Sequence, residues 1–188
     1  MDLAQRLKNH FSHPNVLTMY RVVAIPGLVV LLLFPNRLTA FLAALFFSIA
    51  SVTDALDGFF ARRRGMESSF GKVMDPVADK LLVSSSFIML AALGWAPAWI
   101  VCIIIGREIA VTGLRNIIAG RGEDVSASNL GKYKTGFQIA AAIPLLMHYP
   151  LLGLDTQVIG HFFLWGALAF TVWSGADYFF KFRKLLQS

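Results

Sequence analysis

These 188 residues predict an all-α integral membrane protein. The expected form is a bundle of six transmembrane helices, with an N-terminal amphipathic helix at the interface and both termini in the cytoplasm. Composition is the first ground for this: 56% of the residues are hydrophobic and only 15% charged, against about half and a quarter in soluble domains. Six apolar runs, each near the ~20 residues that a bilayer core requires, are the second. The third is that basic residues gather on one side of those runs. A single domain covering residues 1–188 is the expectation at this length.

In chain order, the segment "MDLAQRLKNHFSHP" lacks the apolar core and small-residue cleavage site of a secretory signal. It places Leu3, Leu7 and Phe11 at four-residue spacing, which suits a helix lying on the membrane surface. The six spans fall at about 16–34, 38–56, 76–94, 98–117, 135–153 and 157–180. Links after the first, third and fifth spans are short: "PNR", "GWAP" and "GLDT". Those after the second and fourth are longer and polar.

Lys and Arg near span ends prefer the cytoplasm. Arg6 and Lys8 precede the first span, and Arg62, Arg63, Arg64 and Lys72 fill the second link. Arg121, Lys132 and Lys134 fill the fourth link, and Lys181, Arg183 and Lys184 follow the last span. The short links together hold only Arg37. The long links therefore face the cytoplasm, and a multi-pass location in the inner (cytoplasmic) membrane follows. A net charge of +6 invites a nucleic-acid partner, but the basic residues sit between apolar spans rather than along one soluble face, so the partner read here is the lipid bilayer.

Other features are bland. The lone Cys102 excludes an intrachain disulfide and a cysteine zinc site. His10, His13, His148 and His161 show no ligand spacing with the acids and read as interfacial or packing residues. Trp95, Trp99 and Tyr149 lie where an aromatic belt would. Gly166, Ala167 and Ala169 suit close helix packing, which leaves contacts within the chain and a homodimer both open.

The chemistry concentrates in "TDALDGFFARRRGMESSFGKVMDPVADKLL". Asp54 and Asp57 are three residues apart and Asp75 and Asp79 four apart, so on helices each pair shares a face. Ion pairing with Arg62, Arg63, Arg64 and Lys72 would explain one such acid. It does not explain four at helical spacing in a chain with 11 acids, since acids at membrane depth are functional candidates by default. Four converging carboxylates repel one another unless a hard divalent cation neutralises them. Oxygen-only donors suit Mg2+ or Mn2+, and four carboxylates can hold two ions. A proton or ion pathway would instead thread acids through several spans. Residues 136–150 and 158–176 of the last two spans contain none, which counts against a divalent-cation carrier.

The arrangement Asp54-x2-Asp57-Gly58-x2-Ala61-Arg62-x8-Gly71-x3-Asp75-x3-Asp79 resembles the full signature of the CDP-alcohol phosphatidyltransferases. That resemblance implies a six-helix membrane bundle with a metal site open to the cytoplasm. It implies that Asp54 and Asp75 bridge two metals, that Asp57 binds one and Asp79 the other, and that Asp79 is the general base acting on the acceptor hydroxyl. It places Gly58, Arg62, Ser68 and Gly71 at the CDP-linked lipid.

Asn15, Thr18 and Arg21, at three-residue steps in "PNVLTMYRVVAIP", are similar to the segment that lines the nucleotide pocket in this family. Without the resemblance they read as a helix cap, a satisfied threonine and a snorkelling arginine. In span four, "GREIAVTGLRN" places Arg107, Glu108 and Arg115 within an apolar stretch, and "NLGKYKTG" adds Lys132 and Lys134. A buried ion pair, Glu108–Arg115 or Arg107–Glu108, would account for part of this. An acceptor bearing its own phosphate would use all four cations. These segments resemble the family's glycerol phosphate branch, which implies CDP-diacylglycerol and sn-glycerol 3-phosphate as substrates. Inositol phosphate, serine or phosphatidylglycerol would be the acceptor in a sibling enzyme.

Overall fold

The computed structural model describes residues 14–64, 69–119, 129–151 and 153–187. Among them the chain forms six α-helices and no strand: α1 (Pro14–Leu33), α2 (Arg37–Arg64), α3 (Ser69–Ala92), α4 (Ala98–Ala119), α5 (Asn129–Met147) and α6 (Thr156–Gln187). Each expected span has its helix. The expected interfacial helix lies outside the described residues.

Five boundaries and one property differ from expectation; two of them are the start of α5 at Asn129 rather than near 135 and the end of α6 at Gln187 rather than near 180. α2 continues to Arg64 and α3 begins at Ser69, so most of the polar link between them is helical. Its Ala61-Arg62-Arg63-Arg64 run consists of strong helix formers, which outweighs its polarity. α5 stops at Met147 rather than near 153. His148 turns into the left-handed region at φ 53°, and Pro150 disfavours helix at the residue before it. Among the described residues, one segment is long and apolar enough to cross a membrane, Thr156–Phe180 of α6; Val22–Leu33 and Arg37–Thr53 are shorter apolar stretches. Ionisable residues within α3, α4 and α5 (Asp79 and Lys80, Arg107 and Glu108, Lys132 and Lys134) lower the hydropathy of helices that have the length.

Helix ends follow local chemistry. The Asn36 side-chain oxygen accepts the amides of Leu38 and Thr39 at 2.9 and 3.0 Å, while the Thr39 hydroxyl accepts the Asn36 amide at 2.9 Å. This reciprocal cap starts α2. Asp155 caps α6 by accepting the Gln157 amide at 2.9 Å. Gly94, at φ 72°, ends α3, and the Trp95 amide bonds back to the Leu90 carbonyl at 2.8 Å.

The described residues divide after Ser86 into two compact units. In the first, α1 packs along α2. Ala24, Leu28 and Leu32 repeat every fourth residue on α1, and Ala40, Ala43, Ala44, Phe47 and Ala50 are their buried counterparts on α2. The alanines permit close approach of the backbones.

In the second unit, α6 packs against both α5 and α4. Gly160 and Gly166 lie at the α5 contact, where a Cβ would come within 2.6 Å of the Leu145 side chain and 2.5 Å of the Phe137 ring respectively. Gly166 is thus used within the chain. α6 is inverted relative to a soluble helix: Phe162 and Trp173 are 71% and 64% exposed, whereas Thr171 and Ser174 are 0% exposed. Apolar residues outside and hydroxyls inside suit a helix surrounded by lipid.

Candidate functional site

The aspartates belong to the first unit. Asp54, Asp57, Gly58, Ala61 and Arg62 lie in the unbroken last turns of α2, and Gly71, Asp75 and Asp79 rise at four-residue steps on α3. These intervals put each set on one helical face. Both pairs are therefore on helix, where the sequence placed them at span edges. Of the four carboxylates, only that of Asp79 is among the described side chains, and it is half-buried. Asn15, Thr18 and Arg21 share the first turns of α1, and Ser68 lies outside the described residues. The four acids bring carboxylate oxygen alone, with no sulfur or imidazole, a residue chemistry that would fit a hard divalent cation.

In the second unit Arg107 and Lys134 meet at Glu108. Its Oε1 accepts Arg107 Nη1 at 3.3 Å and pairs with Lys134 of α5. These side chains are 11% (Arg107), 15% (Glu108) and 6% (Lys134) exposed. Arg107 Nη2 donates to the Ser174 hydroxyl of α6 at 3.0 Å. Ser174 in turn donates to the Phe170 carbonyl at 2.6 Å. The guanidiniums of Arg107 and Arg115 both stand over the buried Tyr178 ring, at 5.7 and 5.5 Å from its centroid.

Arg107 and Lys134 thus share one carboxylate, and Arg115 shares the Tyr178 ring with Arg107. Buried charge is tolerated when paired and hydrogen-bonded, and two guanidiniums gathered over one ring beside a lysine are complementary to an anion. Arg107 Nε is buried and has no hydrogen-bond partner. Each Nη group makes one hydrogen bond, so Nε is the nitrogen of the fork with none. A guanidinium edge is suited to phosphate oxygens.

Of the two pairs open to Glu108, the one with Arg107 is present, together with a Lys134–Glu108 pair that spacing alone did not give. Lys132 lies on α5 with its side chain outside the described set. Ser174 and Tyr178 were not anticipated. A polar residue and an amphipathic aromatic one turn apart in "WSGADYFF" is a weak signal, and only the fold brings it opposite α4. The described histidines serve packing, as expected. His148 stacks on Trp95, with ring centroids 3.9 Å apart, and His161 Nδ1 is 2.8 Å from the Gln157 carbonyl.

The family model for CDP-alcohol phosphatidyltransferases matches residues 11–173. A Bacillus subtilis CDP-diacylglycerol–glycerol-3-phosphate 3-phosphatidyltransferase is 45% identical over 183 residues, covering 91% of this chain and 95% of its own. Proteins of the same name from Rickettsia typhi and Escherichia coli are 38% and 37% identical. They cover 88% and 89% of this chain, and 94% and 93% of their own lengths.

Proposed function

This chain belongs to the CDP-alcohol phosphatidyltransferase family, and we propose from that premise that it transfers the phosphatidyl group of CDP-diacylglycerol to sn-glycerol 3-phosphate. The products are phosphatidylglycerophosphate and CMP. The geometric observation that carries the acceptor assignment is the gathering of Arg107, Arg115 and Lys134 in one cluster, Arg107 and Lys134 on Glu108 and Arg107 and Arg115 over the Tyr178 ring. Choline, ethanolamine or serine would bring no phosphate to meet it. The shared name of relatives aligned over about nine-tenths of both chains supports the same reaction.

Residues divide the task by their chemistry. Asp54, Asp57, Asp75 and Asp79 would hold one or two Mg2+ or Mn2+ ions. Bound there, the cation would neutralise the donor's pyrophosphate and the departing CMP. Gly58 and Gly71 leave the helix faces open for the donor, and Arg62 presents a fork to its phosphates. Asn15, Thr18 and Arg21 are assigned to the nucleotide, and Ser68 to the CDP-linked lipid with Gly58 and Arg62. Arg107, Arg115, Lys132 and Lys134 hold the acceptor phosphate. The Asp79 carboxylate takes the proton of the acceptor hydroxyl. The freed oxygen bonds to the phosphorus that carries the lipid, the bond from that phosphorus to the CMP oxygen breaks, and CMP departs with its electron pair.

Exposed apolar side chains on α1, α2, α4 and α6, among them Val23, Leu38, Ile109 and Phe162, support a bilayer setting. The charge pattern of the links supports six spans with the site on the cytoplasmic side of the inner membrane. The family match crosses the division after Ser86, which supports reading 1–188 as one functional domain.

The test is CMP release by detergent-purified protein given CDP-diacylglycerol and Mg2+. Glycerol 3-phosphate is compared with inositol 1-phosphate, serine, glycerol and phosphatidylglycerol, each with and without a chelator. Chelator-sensitive release with glycerol 3-phosphate alone is expected. Release with another acceptor would discard the acceptor assignment and keep the reaction class, whereas silence with all five would reopen the cation-carrier reading.

A further inference from the structure

We infer that Tyr178 is the positioning residue of the acceptor site, its ring serving as a shared platform that aims the guanidiniums of Arg107 and Arg115 at the acceptor's phosphate. This rests on the acceptor reading above and adds a residue, and a physical mechanism, that the sequence motifs did not suggest.

Arg107 and Arg115 lie eight residues apart on α4, about 12 Å along the helix axis. Left to themselves, two long cationic side chains at that distance would diverge, because like charges repel and rotamer entropy favours spreading. Both are instead gathered over one ring, at 5.7 and 5.5 Å from its centroid. An aromatic face is electron-rich and attracts a guanidinium at this distance, more so when water is excluded. Tyr178 is 6% exposed, so the ring is fixed and desolvated.

The neighbouring turn of α6 is fitted to the same purpose. Ser174, four residues before Tyr178, accepts Arg107 Nη2 at 3.0 Å. Gly175 lies where the Arg107 stem crosses α6, and a Cβ there would come 3.2 Å from Arg107 Cγ. Hydroxyl, missing side chain and ring together leave Arg107 little freedom. They also leave its buried Nε–H as a donor without a partner. A positioned pair of arginines loses less entropy on gripping a phosphate than two mobile ones, so the effect belongs in the acceptor's KM.

The test is steady-state kinetics in detergent on the full chain, varying glycerol 3-phosphate and CDP-diacylglycerol separately. Tyr178→Phe retains the π-face and is expected to match the unsubstituted protein. Tyr178→Leu removes it and is expected to raise the acceptor KM on the order of tenfold, with the donor KM changed by less than about twofold. Gly175→Ala should shift the acceptor KM in the same direction by displacing the Arg107 stem. Successively fluorinated phenylalanines at position 178 preserve ring shape while draining its face of charge. They should raise the acceptor KM step by step, which a purely structural role would not do, and they decide the matter if Tyr178→Leu fails to fold. A flat fluorine series, or equal changes in both KM values, overturns the inference while transfer to glycerol 3-phosphate stands. Absence of that transfer in the unsubstituted protein overturns the acceptor reading itself, and this inference with it.

Discussion

The aspartate segment and the cationic cluster are built on opposite plans. Asp54, Asp57, Asp75 and Asp79 come from two consecutive helices, joined by the four residues 65–68. The cluster in the second unit comes from three helices, and its defining contacts span 26 residues from Glu108 to Lys134 and 67 from Arg107 to Ser174. A site carried on adjacent helix turns leaves its geometry in the spacing of the chain. A site closed by tertiary packing leaves residue types there, but not their partners. The two should accordingly fail in different ways when altered.

The largest effect is expected at Asp79. Asp79→Asn keeps the shape of the side chain and removes the basicity assigned to it. Turnover should fall by roughly 10²- to 10⁴-fold, the usual contribution of a general base. Binding of CDP-diacylglycerol should persist in part, since Asp54, Asp57 and Asp75 can still hold a cation. Parallel measurements of CMP release and donor binding check this. Near-normal turnover would remove Asp79 from its role and leave the segment as a binding site only.

What could be read in advance follows the same division. Six helices were legible because apolar runs of bilayer length have few alternatives. The helical continuation of α2 to Arg64 was not, because polarity was read as a link where Ala61 to Arg64 favour helix. In the cluster, Arg107, Glu108 and Arg115 stood out as ions in apolar surroundings, and Lys134 as a cation of the link before span five. Tyr178 and Ser174 did not, because neither is unusual in a membrane helix. Their significance lies in facing α4, and no local period encodes which helix will be the neighbour.

A middle-sized effect tests whether the cluster acts on the acceptor at all. Arg115→Ala removes one guanidinium from the Tyr178 ring without touching the Glu108 pairs. A hydrogen bond to a charged group contributes about 1.5–3 kcal/mol, so the acceptor KM should rise on the order of tenfold or more while the donor KM is nearly unchanged. Equal changes in both would mean that the cluster supports the fold rather than the acceptor.

The smallest effect separates packing from chemistry within the second unit. Gly166→Ala places a Cβ 2.5 Å from the Phe137 ring. That ring cannot easily yield, because Phe163 and Phe170 stand 5.9 and 4.9 Å from its centre. Overpacking costs about 1–3 kcal/mol, while exchanging glycine for alanine in a helix returns up to about 1 kcal/mol. A net loss of about 1 kcal/mol is the expected balance, seen as a lower thermal midpoint in detergent. Gly136→Ala on α5, where nothing lies within 4 Å of the added carbon, should show only the gain. Gly166 is two turns before Ser174, so both variants should leave the acceptor KM within about twofold. If Gly166→Ala raised it as far as Arg115→Ala does, the cations would be held by the general tightness of the α5–α6 contact. The distinction between a packed scaffold and a positioned site would then collapse for this half of the chain.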